Sequence, residues 1–175
     1  GTVTTPDRSF FALYSSINVA RNKLQVRIEV PGTGAETRVF NGEYGWVLTS
    51  ANSATVLVGD DLLDLAQAAD LHALVEHEEV YKNAQTTGEN EVRGEVCYTV
   101  QADNRYGARE KLHFSKQTGL LHAFETKSGT PEKGQQPLLV VQREYKSFDG
   151  ILVPTMIVQE DSEGNQVNIK ITKVK

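Results

Sequence analysis

The sequence predicts a mainly β domain of the α+β class, in which antiparallel strands surround one or two helices. Three observations carry this expectation. Apolar and polar residues alternate along most of the chain with the period of two that a half-covered strand demands. Turn residues interrupt these runs at short intervals, which indicates strands that meander. Only after Gly59-Asp60-Asp61 does the pattern change to an alanine- and leucine-rich helix, the one object available to fill the hollow of a curved sheet.

At 175 residues, 39% of them hydrophobic, the chain suffices for one sizeable core, and residues 1–175 read as a single domain. The formal charge of −5, with Lys and Glu intermixed, argues against nucleic acid or an anionic membrane surface as the main partner, because both reward a concentrated basic patch. The longest apolar runs, such as Leu138-Leu139-Val140-Val141, fall far short of the ~20 residues that a membrane-spanning helix needs. Cys97 is the only cysteine, so neither an intrachain disulfide nor a cysteine zinc cluster is expected. Gly1-Thr2 opens directly into strand-type residues, so any export signal is expected to have been removed or never present.

The first strands are expected at 10–14 and 23–30. In the second, Leu24, Val26, Ile28 and Val30 alternate with Lys23, Gln25, Arg27 and Glu29, giving one covered and one wet face. Pro31-Gly32-Thr33-Gly34 breaks it. Segments 37–40 and 44–49 form a hairpin about Asn41-Gly42, a pair suited to the positive backbone angles of a tight turn, and Trp46 just beyond it reads as a core or rim anchor. Past the helix, 76–79 reads as a solvated acidic connector and 86–90 as a turn. Val92, Val96, Tyr98 and Val100 then alternate with Arg93, Glu95, Cys97 and Thr99, which directs Cys97 away from its apolar neighbours. Segments 109–115 and 120–127 make a hairpin closed by Lys116-Gln117-Thr118-Gly119, a polar loop follows at 128–134, and strands at 137–145, 151–159 and 166–174 complete the sheet.

In the helix, Asp60 is placed to cap the free N–H groups of the first turn, and Asp61 and Asp64 put negative charge near the positive end of the dipole. Leu62, Leu65, Ala66, Ala69 and Ala73 fall on one face, smooth because most of its side chains are short, while Asp64, Gln67 and Asp70 form a polar arc. An ordinary core helix is the first reading. The second is a lid whose smooth face leaves volume for an apolar ligand, with Trp46, Tyr98 and Phe114 as its counterparts on the strands.

No catalytic signature is present. His72, His77, His113 and His122 include no His-Glu-x-x-His pair, and His72 and His77, five apart, fall on different helix faces, so neither a metal site nor a cofactor is expected. His113 shares a polar face with Lys111 and is expected in solvent, whereas His122 shares a face with Leu120 and Phe124 and reads as a partly covered rim residue. No serine sits in a Gly-x-Ser-x-Gly elbow, and Gly32-Thr33-Gly34 has no following helix to cradle phosphate. Nothing near Cys97 lowers its pKa, and it reads as an inert thiol.

Five blocks follow one another in order: Phe40-Asn41-Gly42-Glu43-Tyr44-Gly45-Trp46, the helix after Gly59-Asp60-Asp61, Val92-Arg93-Gly94-Glu95-Val96-Cys97-Tyr98, Phe114-Ser115-Lys116-Gln117-Thr118-Gly119-Leu120-Leu121, and Phe148-Asp149-Gly150-Ile151-Leu152-Val153-Pro154. From Phe10 to the C-terminus this succession resembles the bacterial outer-membrane lipoprotein carrier superfamily, the LolA-like proteins. The resemblance implies a curved, half-open antiparallel β-barrel with a helix packed on its concave face and an apolar hollow between them. Relative to that pattern the chain is expected to lack N-terminal elements. The resemblance further implies a periplasmic or otherwise extracytoplasmic, non-enzymatic domain that holds a lipid, a lipoprotein acyl chain or another apolar ligand, as carrier or sensor. The alternative is an interaction or spacer module of a larger exported protein, with a closed core and another protein domain as its partner.

Overall fold

The computed structural model describes residues 1–19, 22–51, 53–70, 77–130 and 134–174. The chain forms two compact units, Gly1–Glu76 and His77–Lys175.

The first unit holds strands β1 (Thr2–Thr4), β2 (Phe11–Val19), β3 (Lys23–Val30), β4 (Gly34–Phe40), β5 (Gly45–Thr49) and β6 (Ala54–Leu57), followed by helix α1 (Gly59–Ala68). Each strand pairs antiparallel with the next. The hairpin between β4 and β5 closes as its sequence demands. Asn41 Oδ1 accepts the backbone N–H groups of Glu43 and Tyr44 at 2.9 and 2.8 Å, and Gly42 takes φ 103°. Leu24, Phe40, Gly45 and Leu57 are successive register partners and therefore share one sheet face. Helix α1 packs on that face against β4 and β5.

Gly45 is what lets the helix come so close. A methyl group built on it would lie 3.0 Å from Leu62 Cδ1 and 3.2 Å from Leu65 Cδ2. The helix begins differently from expectation, because Gly59 is its first residue at φ 59° and Asp60 therefore lies inside the first turn instead of capping it. Val58 occupies the cap position and makes no side-chain cap bond, so Asp60 and Asp61 act on the helix end through charge alone. The helix closes after Ala68, with the Ala69 and Asp70 N–H groups bonded to Leu65 O and Gln67 O. Asp70 consequently leaves the polar arc that helical spacing gave it and is buried.

The second unit runs α2 (His77–Val80), β7 (Tyr81–Val92), β8 (Glu95–Asn104), β9 (Arg109–Ser115), β10 (Leu121–Thr130), β11 (Gly134–Phe148), β12 (Ile151–Asp161) and β13 (Gln166–Lys170). Its strands also form a consecutive antiparallel meander. The expected acidic connector contributes instead to a short helix whose Val80 is buried. The turn expected at 86–90 is also corrected, since these residues lie inside β7. Their polar composition reflects an exposed strand, and their turn chemistry is used for irregularities: the register shifts between Lys82 and Gln85 and again between Thr86 and Gly88, with Asn83 at φ 53° and Gly88 at φ 146°. The true reversal is Arg93-Gly94, at φ 49° and 84°.

Across β8 to β11, Cys97 pairs with Ser115, Thr99 with His113, His113 with Ala123 and Ala123 with Val141. All six are buried and share one face, so the interior there is built mostly of small side chains. Two contacts tie the end of β7 and the turn after it to later strands. His122 Nε2 donates to Val92 O at 3.0 Å, and the Arg93 guanidinium pairs with Glu160 on β12.

Candidate functional site

The residues predicted to line an apolar hollow fall in three places. Leu62, Leu65, Ala66 and Ala69 stay together on or just after α1, and Leu65, Ala66 and Ala69 are buried, Ala69 with 0% of its surface exposed. Ala73 lies outside the described residues, as do His72 and the side chain of His77. Trp46 pairs with Val39 and Val56, one residue out of phase with Gly45, so it occupies the opposite face of β5 from α1. Tyr98 and Phe114 are direct register partners on β8 and β9, in the second unit. Lys116 Nζ stands 5.4 Å from the Tyr98 ring centroid and bonds Glu89 Oε1 at 2.7 Å, and the Glu89 carboxylate raises the Lys116 pKa. Tyr98 and Val96 are the more open residues of β8, at 41% and 49% exposure, while Cys97 and Thr99 behind them are covered. Burial, and after it the Glu95 charge, pushes the Cys97 thiol up, which keeps it protonated and unreactive.

The second unit also holds a hydrogen-bonded chain that crosses four strands. Asn90 Nδ2 on β7 donates to Thr99 Oγ1 on β8 at 2.9 Å, and Thr99 Oγ1 lies 3.0 Å from His113 Nδ1 on β9. His113 Nε2 lies 3.3 Å from Glu125 Oε1 on β10, and Lys111 Nζ donates to Glu125 Oε2 at 2.8 Å. The carboxylate facing Nε2 requires a proton there. The neutral ring therefore accepts at Nδ1 from the Thr99 hydroxyl, whose oxygen accepts from Asn90. His113 is 3% exposed, which overturns the expectation that it stands in solvent. Burial holds its pKa below the usual histidine value, against the raising effect of Glu125. Burial alone would raise Glu125, but Lys111 and then His113 outweigh it and hold the carboxyl below its ordinary range.

A hydroxyl, an imidazole and a carboxylate in series copy the wiring of an activated nucleophile. Thr99 is 3% exposed, however, and a substrate carbonyl has no approach to its Oγ1. The chain acts as an internal brace. Where it surfaces, Lys111 and Glu125 form part of a groove of about 330 Å³ that runs over β9 to β12. Among the described residues no group of three or more His, Cys, Asp or Glu side chains is placed to hold a metal ion, and no helix is long and apolar enough to cross a membrane.

Sequence reading missed this site because its members lie 9, 14 and 12 residues apart on different strands. The available signal was the register: Thr99, His113 and Lys111 alternate on the face that already held Cys97 and Ser115.

No protein-family model matches the chain, and no curated protein matches it. Solved structures do. A LolA superfamily protein from Nitrosomonas europaea superposes with TM-score 0.62 at 16% identity, over 99% of this chain and 84% of that one. A DUF1329 family protein from Desulfovibrio piger gives 0.61 at 12% identity, and a putative outer membrane lipoprotein-sorting protein domain from Vibrio parahaemolyticus gives 0.59 at 9%, both with the same coverage. At these identities the likeness is one of fold, and the chain has the mainly β, antiparallel LolA-like fold.

Proposed function

We propose that the chain is a non-enzymatic, extracytoplasmic domain of LolA type that holds a lipid, a lipoprotein acyl chain or another long apolar group. The observation that supports it is the fold match over nearly the whole chain to a protein described as a lipoprotein-sorting domain. An apolar ligand would draw its affinity from burial, since each methylene removed from water contributes about 0.8 kcal/mol. Native mass spectrometry of freshly purified protein, followed by denaturing extraction and lipid analysis, tests it. A co-purifying acyl-chain mass is expected, and delipidated protein should gain thermal stability on adding back fatty acid. A mass that stays apo through both steps refutes the reading.

One observation favours a second reading, an interaction module with a closed core and another exported protein as partner. The α1 face is already packed against the sheet, and the far side of β2 presents Phe11, Leu13, Ile17 and Val19, all between 46% and 58% exposed, in alternate register. Photo-cross-linking from single positions of β2, carried out in cells of the native host, separates the two: one discrete protein adduct at Leu13 or Ile17 favours the module, and its absence favours the lipid carrier.

A further inference from the structure

The groove over β9 to β12 is lined by three cations, Arg109, Lys111 and Lys127, and three carboxylates, Glu125, Glu160 and Asp161, which the fold holds to different degrees. Its carboxylates are committed. Glu125 is held by Lys111 and His113, and Glu160 by Arg93 and by Gln166 Nε2 at 2.8 Å. Asp161 accepts the backbone N–H groups of Glu163 and Asn165 and the Asn165 side-chain amide, each at 2.9 Å, which pulls its carboxyl below the usual range. Of the cations, Lys111 is held by Glu125, while Lys127 and Arg109 are held less firmly. Lys127 makes no ion pair or hydrogen bond among the described residues. Arg109 reaches Asp103 Oδ1 at 3.6 Å and Gln101 Oε1 at 3.5 Å, with 59% of its side chain exposed.

Position adds to charge. Arg109 and Lys127 stand two residues beyond the paired Lys111 and Glu125, on the same sheet face, and Lys127 is the register partner of Pro137 as Glu125 is of Leu139. Two cations thus border an apolar patch within one concave surface. We propose that this groove binds the anionic head of an amphiphile, a phosphate or carboxylate held by Arg109 and Lys127, with the first carbons of its tail on Pro137 and Leu139. A volume of about 330 Å³ lies at the small end of ligand pockets, which suits a head group and not a whole two-chain lipid. The groove lies wholly in the second unit, so this site stands or falls apart from apolar binding at α1.

The test is a titration of ¹⁵N-labelled protein with dihexanoyl phosphatidic acid, dihexanoyl phosphocholine and inorganic phosphate, all below micelle concentrations. Saturable shifts at the amides of Lys127, Leu139 and Arg109 are expected with phosphatidic acid, with affinity about tenfold or more above that of either other probe. The double variant Arg109→Gln/Lys127→Gln, which alters exposed side chains only, should lose that advantage while keeping its spectrum folded. The ring signals of His113, joined to the groove through Glu125, should move with the same affinity. Inorganic phosphate binding as tightly as phosphatidic acid would make this a free-anion site, and equal binding by the double variant, or no shift at millimolar probe, would remove it altogether. Native mass spectrometry continues to report acyl binding whichever way the titration falls.

Discussion

Replacing Gly45 by alanine puts a single methyl group between sheet and helix. It would sit 3.0 Å from Leu62 Cδ1, 3.2 Å from Leu65 Cδ2 and 3.5 Å from Leu57 Cδ1, closer to the first two than ordinary carbon contacts allow. Two effects compete. Gly45 has no positive φ, so alanine fits the backbone and stabilises by about 0.4–1 kcal/mol through a less flexible unfolded chain. Overpacking costs about 1–3 kcal/mol, and Leu65, buried under the helix, has little room to swing aside. The net expectation is a loss of about 1 kcal/mol, and more for valine. A domain of this size then loses about 2–4 °C in melting temperature, and urea denaturation should show a lower midpoint at unchanged slope. Leu62→Ala provides the internal control. It vacates the space that the new methyl group needs, so the double variant should be more stable than the sum of the single losses predicts. A Gly45→Ala protein as stable as wild type, with no coupling to Leu62, would refute the close approach of α1 to β5.

Stability should fall as pH drops below about 6.5, because His113 is held below its ordinary value and the unfolded chain takes up that proton first; the loss levels off once the folded ring also protonates. Glu125, held below its usual 4.5, adds a contribution present above that pH and lost as pH falls through its folded value, so His113→Gln should flatten the upper limb of a denaturation midpoint-versus-pH curve and leave the larger part of the lower limb, which Lys111 supplies. Thr99→Val keeps the shape but strips partners from Asn90 Nδ2 and His113 Nδ1, for a cost of about 1–3 kcal/mol by urea denaturation, whereas Thr99→Ser should recover most of it; equal stabilities of the two variants would argue against the chain. The Cys97 thiol should react with a maleimide only at the rate of unfolding, and rapid labelling of the native protein would contradict its burial.

Legibility followed the range of the interactions involved. The hairpin at Asn41-Gly42 rests on bonds between residues two and three apart, and its sequence carries all of that information. The alternation of Lys23 to Val30 likewise passed directly into a strand with Leu24 buried and Lys23 exposed. In β8 the same periodicity separated two faces without saying which is covered. Bulk pointed to Val96 and Tyr98, but the tightly lined interior beside Ala123 has space for Cys97 and Thr99. His113 looked solvated for the same reason, because a buried imidazole becomes tolerable only when Thr99 and Glu125 arrive from neighbouring strands. The end of α1 was also hidden, since alanine continues a helix as readily at Ala69 as at Ala66 while the chain stops at Ala68.

The two register shifts in β7 bear on how the protein behaves in a crowded compartment. A flat outer strand invites a second chain to extend the sheet, and from there aggregation proceeds without limit. Between Lys82 and Gly88 the ladder is broken twice and the backbone turns through the left-handed region at Asn83, so β7 presents no continuous row of donors and acceptors. Lengthening that strand by straightening it would exchange colloidal safety for a more regular sheet.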